Sequence, residues 1–151
     1  GQKTGLAAPY YLARAQFFDR KGEYRKALPD YNQYDSLTHT VDPTFFYARY
    51  KCETKLRMWQ QALLDIARTC YLAPKEPTYF AEWASLDLRV KRIDEGISAA
   101  KACINLAPEY ADGYLLLGLL QREKGLKQES IENLKKAQEL GDTRAEEYLK
   151  Q

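Results

Sequence analysis

The stretch YLAPKEPTYF, residues 71–80, carries Pro74 and Pro77 three residues apart in a chain whose other residues largely favour helix. A similar stretch, NLAPEYADGY, returns at residues 105–114. Pro74 and Pro108 are 34 residues apart, and Pro43 precedes Pro77 by the same distance. Because proline interrupts a helix or begins one, prolines at a fixed spacing mark the joints between repeated helical units.

Each repeat unit contains two helical segments separated by a short turn. The segments APYYLARAQFFDR (8–20) and RKALPDYNQYDSL (25–37) flank the turn KGEY, and ADGYLLLGLLQRE (111–123) and QESIENLKKAQEL (128–140) flank the turn KGLK. Apolar residues in these segments recur at intervals of three and four, which is typical of amphipathic helices. The sequence therefore predicts four successive helical hairpins.

The residues between the segments are typical of helix ends. Asp42 followed by Pro43 indicates an N-cap with proline at the first helical position. Gly22 and Gly125 are expected to end the first helix of their units, because glycine adopts a left-handed conformation without strain at Cβ. Pro74 is expected to end the second helix of its unit, and Pro108 that of the next.

With this period and these residue types, residues 8–142 resemble the tetratricopeptide-repeat family. The resemblance implies an all-α fold, a right-handed superhelix (solenoid) of four helical hairpins. Arg49 and Tyr50 stand where the family has leucine and a small residue, so a looser contact is expected in the second unit. The matching residues are Tyr11, Ala15, Phe18, Gly22, Tyr24, Ala27 and Tyr31 in the first unit, Phe46, Ala62, Ile66 and Pro74 in the second, Phe80, Trp83, Ala84, Gly96, Ala100 and Pro108 in the third, and Tyr114, Leu117, Gly118, Ser130 and Leu134 in the fourth.

The predicted organisation is one domain with short additions at its ends. Residues 1–7 are expected to be an N-terminal tail or a remnant of tag removal, and residues 8–151 a single repeat domain. The repeats are predicted at about 8–42, 43–76, 77–110 and 111–144. A short polar helix at 143–150 is expected to cap the last hairpin, with Tyr148 and Leu149 on its inner side.

Composition points to an ordinary globular protein. Hydrophobic residues make up 45% of the chain, and no apolar run approaches the roughly 18–20 residues that a membrane-spanning helix needs, so a soluble protein without membrane contact is expected. The net charge of +2 is too small to indicate a polyanionic partner. The sequence does not begin with methionine, which fits either a removed signal peptide, as in exported or periplasmic proteins, or a fragment of a longer protein.

Residue types that carry catalysis or bind metals are sparse. Cys52, Cys70 and Cys103 form no Cys-x-x-Cys pair, and His39 is the single histidine, so neither a zinc site nor a nucleophile–base pair is expected. Adjacent acids such as Asp94 and Glu95 point in different directions on a helix and cannot share a substrate. The sequence therefore predicts no enzyme, no cofactor, no metal and no small-molecule substrate.

The family resemblance also implies where a partner would bind. In tetratricopeptide-repeat proteins the first helices line the concave side, and set positions on them face the groove. Transferred position by position to this sequence, the groove is expected to contain Leu12, Gln16, Asp19, Arg20, Tyr47, Lys51, Lys55, Ser85, Arg89, Leu115, Leu119 and Arg122.

The fourth unit has a first helix that is apolar on nearly every side. Three of its leucines suffice for packing against the core: Leu116, Leu117 and Leu120. The other two, Leu115 and Leu119, point to a different side of the helix. Two explanations stay open for the additional apolar face: a bound segment or partner subunit covers it, or the capping helix folds over it.

These features predict a non-catalytic scaffold for protein–protein interaction, which binds a peptide or partner segment of unknown identity in the groove. One alternative is a structural spacer, or a module that self-associates through the last repeat. Another is a single-stranded nucleic-acid binder, because lysine, arginine and tyrosine alternate in DRKGEYRKAL and ARYKCETKLR. Acids such as Asp19 and Glu53 among these cations argue against nucleic acid.

Overall fold

The computed structural model describes residues 2–151, with side chains from residue 7 onward. The described residues form nine α-helices and no strand, as expected for an all-α fold. They divide into two compact units, with the boundary along the chain between Leu72 and Ala73. Unit 1 contains α1 (Gln2–Arg20), α2 (Tyr24–Thr38), α3 (Pro43–Lys55) and α4 (Trp59–Leu72), and unit 2 contains α5 (Pro77–Arg89), α6 (Ile93–Leu106), α7 (Ala111–Lys124), α8 (Lys127–Glu139) and α9 (Arg144–Leu149).

The turn inside every hairpin contains one residue in the left-handed conformation. Gly22 and Gly125 fill this position in the first and last hairpins, as predicted, with φ of 75° and 87°. Arg57 and Lys91 fill it in the other two, with φ of 59° and 66°. In all four turns the next amide donates a hydrogen bond of 2.8–2.9 Å to a carbonyl five residues earlier. This bond pattern satisfies carbonyl groups at the helix end and fixes the reversal of the chain.

Proline lies at every joint between hairpins, as predicted, and an aspartate caps the helix after the first joint. Pro43 is the first residue of α3, and the Asp42 carboxylate before it accepts a hydrogen bond of 2.9 Å from the amide of Thr44. Pro77 is likewise the first residue of α5, but Glu76 before it forms no side-chain cap hydrogen bond. The helix before each later joint stops two residues ahead of the proline, α4 at Leu72 before Pro74, for example.

The amino-terminal end differs from the expectation. Residues 2–7 belong to α1 and do not form the predicted tail. Four of these residues, Gln2, Lys3, Leu6 and Ala7, have good helix propensity, which explains why the helix extends to this end. The single repeat domain over 8–151 stays a prediction. No helix in the described part of the chain combines the length and the apolar character needed to cross a bilayer.

The core of unit 1 lies where α1, α2 and α3 meet. Ala15 and Ala27 are completely buried, and small side chains there allow close packing of helices. Tyr31 and Phe45 stack edge to face, with ring centroids 5.9 Å apart. Further members of this cluster are Leu28, Phe46 and Cys52.

The core of unit 2 has two parts. The first part lies between α5, α6 and α7, and its buried members are Ala84, Ala99, Ala100, Leu117 and Leu120. Leucines and alanines of α7, α8 and α9 form the second; its buried members are Leu115, Leu119, Leu134, Ala137 and Ala145.

A buried ion-pair network lies in the second hairpin of unit 1, where a looser contact was expected. The Arg49 guanidinium donates two hydrogen bonds, of 2.8 and 3.0 Å, to the two carboxylate oxygens of Asp65, and a third, of 2.9 Å, to Asp35. Arg49 and Asp65 are both buried, and burial together with neighbouring Asp65 raises the pKa of Glu53 well above its ordinary value. Arg49 thus replaces an apolar contact by charge pairing.

The first hairpin repeats this pairing. Arg14 of α1 donates bonds of 2.7 and 2.8 Å to the two oxygens of Asp30 on α2. In both hairpins the aspartate follows the arginine by 16 residues, so the same helix positions meet. The pairing is a shared feature of the two hairpins of unit 1.

Unit 2 contains a buried carboxylate of a different kind. The Asp87 side chain on α5 is completely buried, and neither of its oxygens forms a hydrogen bond with any described residue. Burial raises the pKa of Asp87 to about 6, although the Arg92 guanidinium, whose Nε lies 3.5 Å from Oδ1, acts in the opposite direction. Because the charged form is poorly solvated there, ionisation of Asp87 weakens the fold.

We predict that Arg49→Leu lowers the free energy of unfolding by about 3–5 kcal/mol, because it leaves the buried Asp65 carboxylate without its bidentate partner. Urea denaturation followed by circular dichroism measures this loss. The double variant Arg49→Leu, Asp65→Leu should recover most of it, since no buried charge is then left alone. A single variant as stable as the wild type, or a double variant no better than the single one, would contradict the role given to the pair.

We also predict that stability falls as the pH rises from about 4 to about 7. The folded-state pKa of Asp87, about 6, lies above the ordinary 3.8, so the folded protein binds more protons than the unfolded chain in this window. The raised pKa of Glu53 acts in the same direction. The loss due to Asp87 approaches about 3 kcal/mol, from the size of its pKa shift.

The test of this pH dependence is urea denaturation across the window for the wild type and Asp87→Asn. The asparagine variant should lose less stability with rising pH than the wild type, because residue 87 no longer ionises; the part of the loss due to Glu53 remains. Glu132→Gln, at an exposed position of α8, is the matched control and should keep the wild-type slope. Equal slopes for the wild type and Asp87→Asn would contradict the prediction.

Candidate functional site

The predicted groove residues of unit 1 lie on α1 and α3, and most reach solvent. Gln16, Arg20, Lys51 and Lys55 are exposed. The remaining three are partly buried: Leu12 packs against the core of unit 1, Asp19 accepts a hydrogen bond of 2.6 Å from the Tyr31 hydroxyl, and Tyr47 lies on α3. Leu12 and Asp19 therefore stabilise the fold of unit 1 in addition to lying on the predicted binding surface.

Tyr47 and Lys51 form a small ordered surface on α3. The Tyr47 ring stacks on the ring of Tyr50, with centroids 5.9 Å apart and an angle of 16° between the planes. The Lys51 ammonium lies 4.8 Å from the centroid of Tyr47. Stacking and the cation–π contact hold the Tyr47 side chain in place. Binding a ligand against it therefore costs little further side-chain entropy of the tyrosine.

In unit 2 the first helices α5 and α7, together with α9, line an open cavity of about 380 Å³. Four of the predicted residues lie around it: Ser85 and Arg89 from α5, and Leu119 and Arg122 from α7. The sequence placed them on one surface, and the structure brings them together. The other lining residues are Leu88, Lys91, Glu123 and Tyr148.

The cavity of unit 2 has a basic wall. Lys91 pairs at 3.4 Å with Glu123, the single acid among the lining residues, and two arginines of the lining add their guanidinium groups. Arg122 stacks over the Tyr148 ring at 5.1 Å and donates a bond of 3.1 Å to the Gln151 side chain. The arrangement suits a ligand that brings a carboxylate together with an apolar group.

Two members of the predicted groove require correction. Leu115 and Leu119 retain only 4% and 9% of their exposure, because α8 and α9 pack over them through Leu134, Ala137 and Ala145. The capping helix thus covers the apolar face of α7, which was one of the two explanations left open. Leu115 is not available to a partner, and Leu119 contributes only a small area to the cavity wall. Self-association through these two side chains is not supported.

Sequence reasoning missed two cavity residues, Lys91 and Glu123. Lys91 is the left-handed residue of the turn after α5, a position for which the sequence signal is glycine, so its placement near α7 had no signature. Glu123 follows Arg122 in the last turn of α7. Tyr148 was expected on the inner side of the capping helix, which is where it lines the cavity.

The cysteines and the histidine have structural surroundings. Burial raises the pKa of Cys103 to about 11 and those of Cys52 and Cys70 to about 12, so these thiols stay protonated and are poor nucleophiles. His39 is exposed and ends α2 in a left-handed conformation. Within the described residues, no group of three or more histidine, cysteine or acidic side chains is close enough to hold a metal ion.

Comparison with known proteins identifies the repeat. Residues 111–140, which cover α7 and α8, match the family model of the tetratricopeptide repeat. No curated protein matches the sequence. The sequence-based family resemblance is thus confirmed in the last hairpin by a model of the family itself.

Solved structures with the same fold cover nearly the whole chain. MamA of Desulfovibrio magneticus RS-1, from its residue 41 to the end, superimposes with a TM-score of 0.84 at 22% identity, covering 94% of this chain and 81% of that one. YrrB, described as a tetratricopeptide-repeat protein with an unusual peptide-binding site, gives a TM-score of 0.87 at 20% identity, covering 95% and 74%. TTC0263 of Thermus thermophilus, a thermophilic protein of the same repeat type, gives 0.67 at 20% identity, covering 90% and 75%. At these identities the likeness establishes the fold.

Proposed function

We propose that the chain, which is a tetratricopeptide-repeat protein, is a non-catalytic scaffold for protein–protein interaction that binds a partner segment along its first helices. The observation that carries this proposal is the cavity of unit 2, where Ser85, Arg89 and Arg122 from two first helices surround one space. A side chain of a bound segment can enter this space while its backbone follows the helices.

Charge and shape favour a peptide that is acidic and partly apolar. Arg89 and Arg122 supply guanidinium groups, which bind carboxylates through paired hydrogen bonds. Leu88 and Tyr148 supply apolar area beside them. In unit 1, Tyr47 with Lys51 offers the same combination of ring and cation on α3. The description of YrrB as peptide-binding also supports a peptide as the partner.

The alternatives from the sequence have less support. Self-association was expected to use Leu115 and Leu119, which are buried beneath α8 and α9. A nucleic-acid binder needs cations free of neighbouring acids, whereas Lys91 pairs with Glu123 and Lys26 with Glu23. A non-catalytic role also agrees with the buried, protonated thiols.

The test is a crosslinking pull-down with the wild type and the double variant Arg89→Glu, Arg122→Glu. Charge reversal should abolish capture of a protein that the wild type retains, because two attractive contacts with carboxylates become repulsive. Circular dichroism checks that the variant keeps its helical content.

A matched control reverses two charges elsewhere in unit 2. Lys135 and Lys136 are exposed on α8 and do not line the cavity. The variant Lys135→Glu, Lys136→Glu has the same net charge as the cavity variant and should capture the partner as the wild type does. Equal capture by all three proteins would show that the partner does not bind at this cavity.

A further inference from the structure

Helix α4 in unit 1 carries large apolar side chains on its solvent-exposed face. Tyr71 is 84% exposed and Leu64 is 60% exposed, two turns apart on the same side of the helix. Val41, in the loop before α3, is 75% exposed. These three residues are called the α4 patch below.

The repeat itself does not require apolar residues at these positions. In α6 the residues 34 positions after Leu64 and Tyr71 are Ser98 and Asn105, and both are exposed. In α8 the corresponding residues are Glu132 and Glu139, which are also exposed. Tyr71 and Leu64 therefore bring apolar surface to a face that the second helices of unit 2, α6 and α8, leave polar.

The patch borders a cavity of about 370 Å³ within unit 1. This volume lies at the small end of ligand sites and suits one or two side chains of a bound segment. Its walls come from the loop before α3, from α3 and from α4, mainly Val41, Phe46, Ala67, Arg68, Tyr71 and Leu72.

Arg68 gives the cavity a cation at its wall. Its Nη1 lies 3.6 Å from Asp65, which is beyond hydrogen-bond length, while both Asp65 oxygens accept bonds of 2.8 and 3.0 Å from Arg49. The Arg68 side chain is 52% exposed, and its guanidinium carbon lies 5.5 Å from the centroid of the Phe46 ring. Asp65 thus accepts its hydrogen bonds from Arg49 and attracts Arg68 only as a longer ion pair, and the half-exposed Arg68 side chain lies beside apolar walls.

We propose that the α4 patch and its cavity form a second docking site, which binds an acidic and apolar segment of a partner protein. An aliphatic or aromatic side chain of the segment enters between Val41, Phe46 and Tyr71, and a neighbouring carboxylate pairs with Arg68. Charge complementarity selects this occupant, because a carboxylate of the segment can accept a hydrogen bond from Arg68 that Asp65, at 3.6 Å, does not accept, whereas a basic segment would be repelled. The site is separate from the cavity between α5 and α7 and does not depend on the function proposed for that cavity.

The test is selection from a phage-displayed library of random peptides on the full chain, with counter-selection on Tyr71→Ser. Enriched peptides should combine a large apolar residue with an adjacent aspartate or glutamate. One such peptide, labelled with fluorescein, is then titrated with the wild type and Arg68→Glu, and the variant should bind about tenfold more weakly or worse because the charge-assisted contact is lost.

Two variants of unit 1 serve as matched controls. Tyr10→Ser removes another exposed tyrosine, and Arg25→Glu reverses another exposed arginine. Both should bind the labelled peptide as the wild type does. Thermal unfolding should be unchanged for Tyr71→Ser, since its side chain is largely in solvent, so that loss of binding is not loss of fold.

Three results would overturn the proposal. The first is enrichment of peptides that lack acids, or that bind Tyr71→Ser and the wild type equally. The second is a loss of binding with Arg25→Glu as large as with Arg68→Glu, which would indicate a general charge effect. The third is a wild-type dimer in light scattering that Tyr71→Ser converts to a monomer, which would make a second copy of the chain the occupant.

Discussion

The close approach of paired helices at small residues is the constraint on which the rest of the structure depends. At the α7–α8 crossing, a Cβ atom on Gly118 would lie 2.8 Å from Leu134, and the Ser130 hydroxyl donates a bond of 2.7 Å to the Gly118 carbonyl. At the next contact along unit 2, a Cβ on Gly96 would lie 2.6 Å from Leu120. Helices packed this tightly fix which side of each helix is buried, and hence which residues are left for binding.

The surfaces proposed for binding follow from this pairing. Because the first helices α5 and α7 turn fixed faces toward their partners, Arg89 and Arg122 are left on the side where α9 closes the cavity. The same pairing in unit 1 leaves Lys51 and Tyr47 on α3, and Arg68 and Tyr71 on α4, at two separate surfaces. Cations beside apolar side chains recur at all three places, which is why acidic and partly apolar segments are the expected partners.

Much of the fold was predictable, because it follows from local chemistry. Proline spacing located the joints at Pro43 and Pro77, and glycine located the turns at Gly22 and Gly125. Arg57 and Lys91 take the same left-handed conformation without glycine, and only the repeat spacing could have indicated them. The ion pair of Arg49 and Asp65 was also missed, since a charged residue at a core position predicts poor packing unless its oppositely charged partner is known. Its signal was Arg14, which stands at the same place in the first hairpin with an aspartate 16 residues later.

The candidate site was predictable only in part, because exposure depends on tertiary packing. The family resemblance placed Ser85, Arg89 and Arg122 along one groove, and they line one cavity. The same resemblance placed Leu115 there, but the packing of α8 and α9 against α7 buries it. The α4 patch had no precedent in the family pattern, since positions that face solvent carry no periodic signal. Only the exposed fractions of Leu64 and Tyr71 distinguish it from an ordinary helix face.

The most direct test of helix pairing at small residues is the free energy of unfolding of Gly118→Leu, measured by urea denaturation. Leucine has the better helix propensity by nearly 1 kcal/mol, so a Gly118 outside a tight contact would give a more stable variant. Close approach to Leu134 and to the Ser130 backbone instead predicts a loss of about 1–3 kcal/mol, from overpacking. Ser98→Leu, at an exposed position of α6, should show no such loss. A Gly118→Leu protein as stable as the wild type, or more so, would contradict the close pairing from which the binding surfaces are derived.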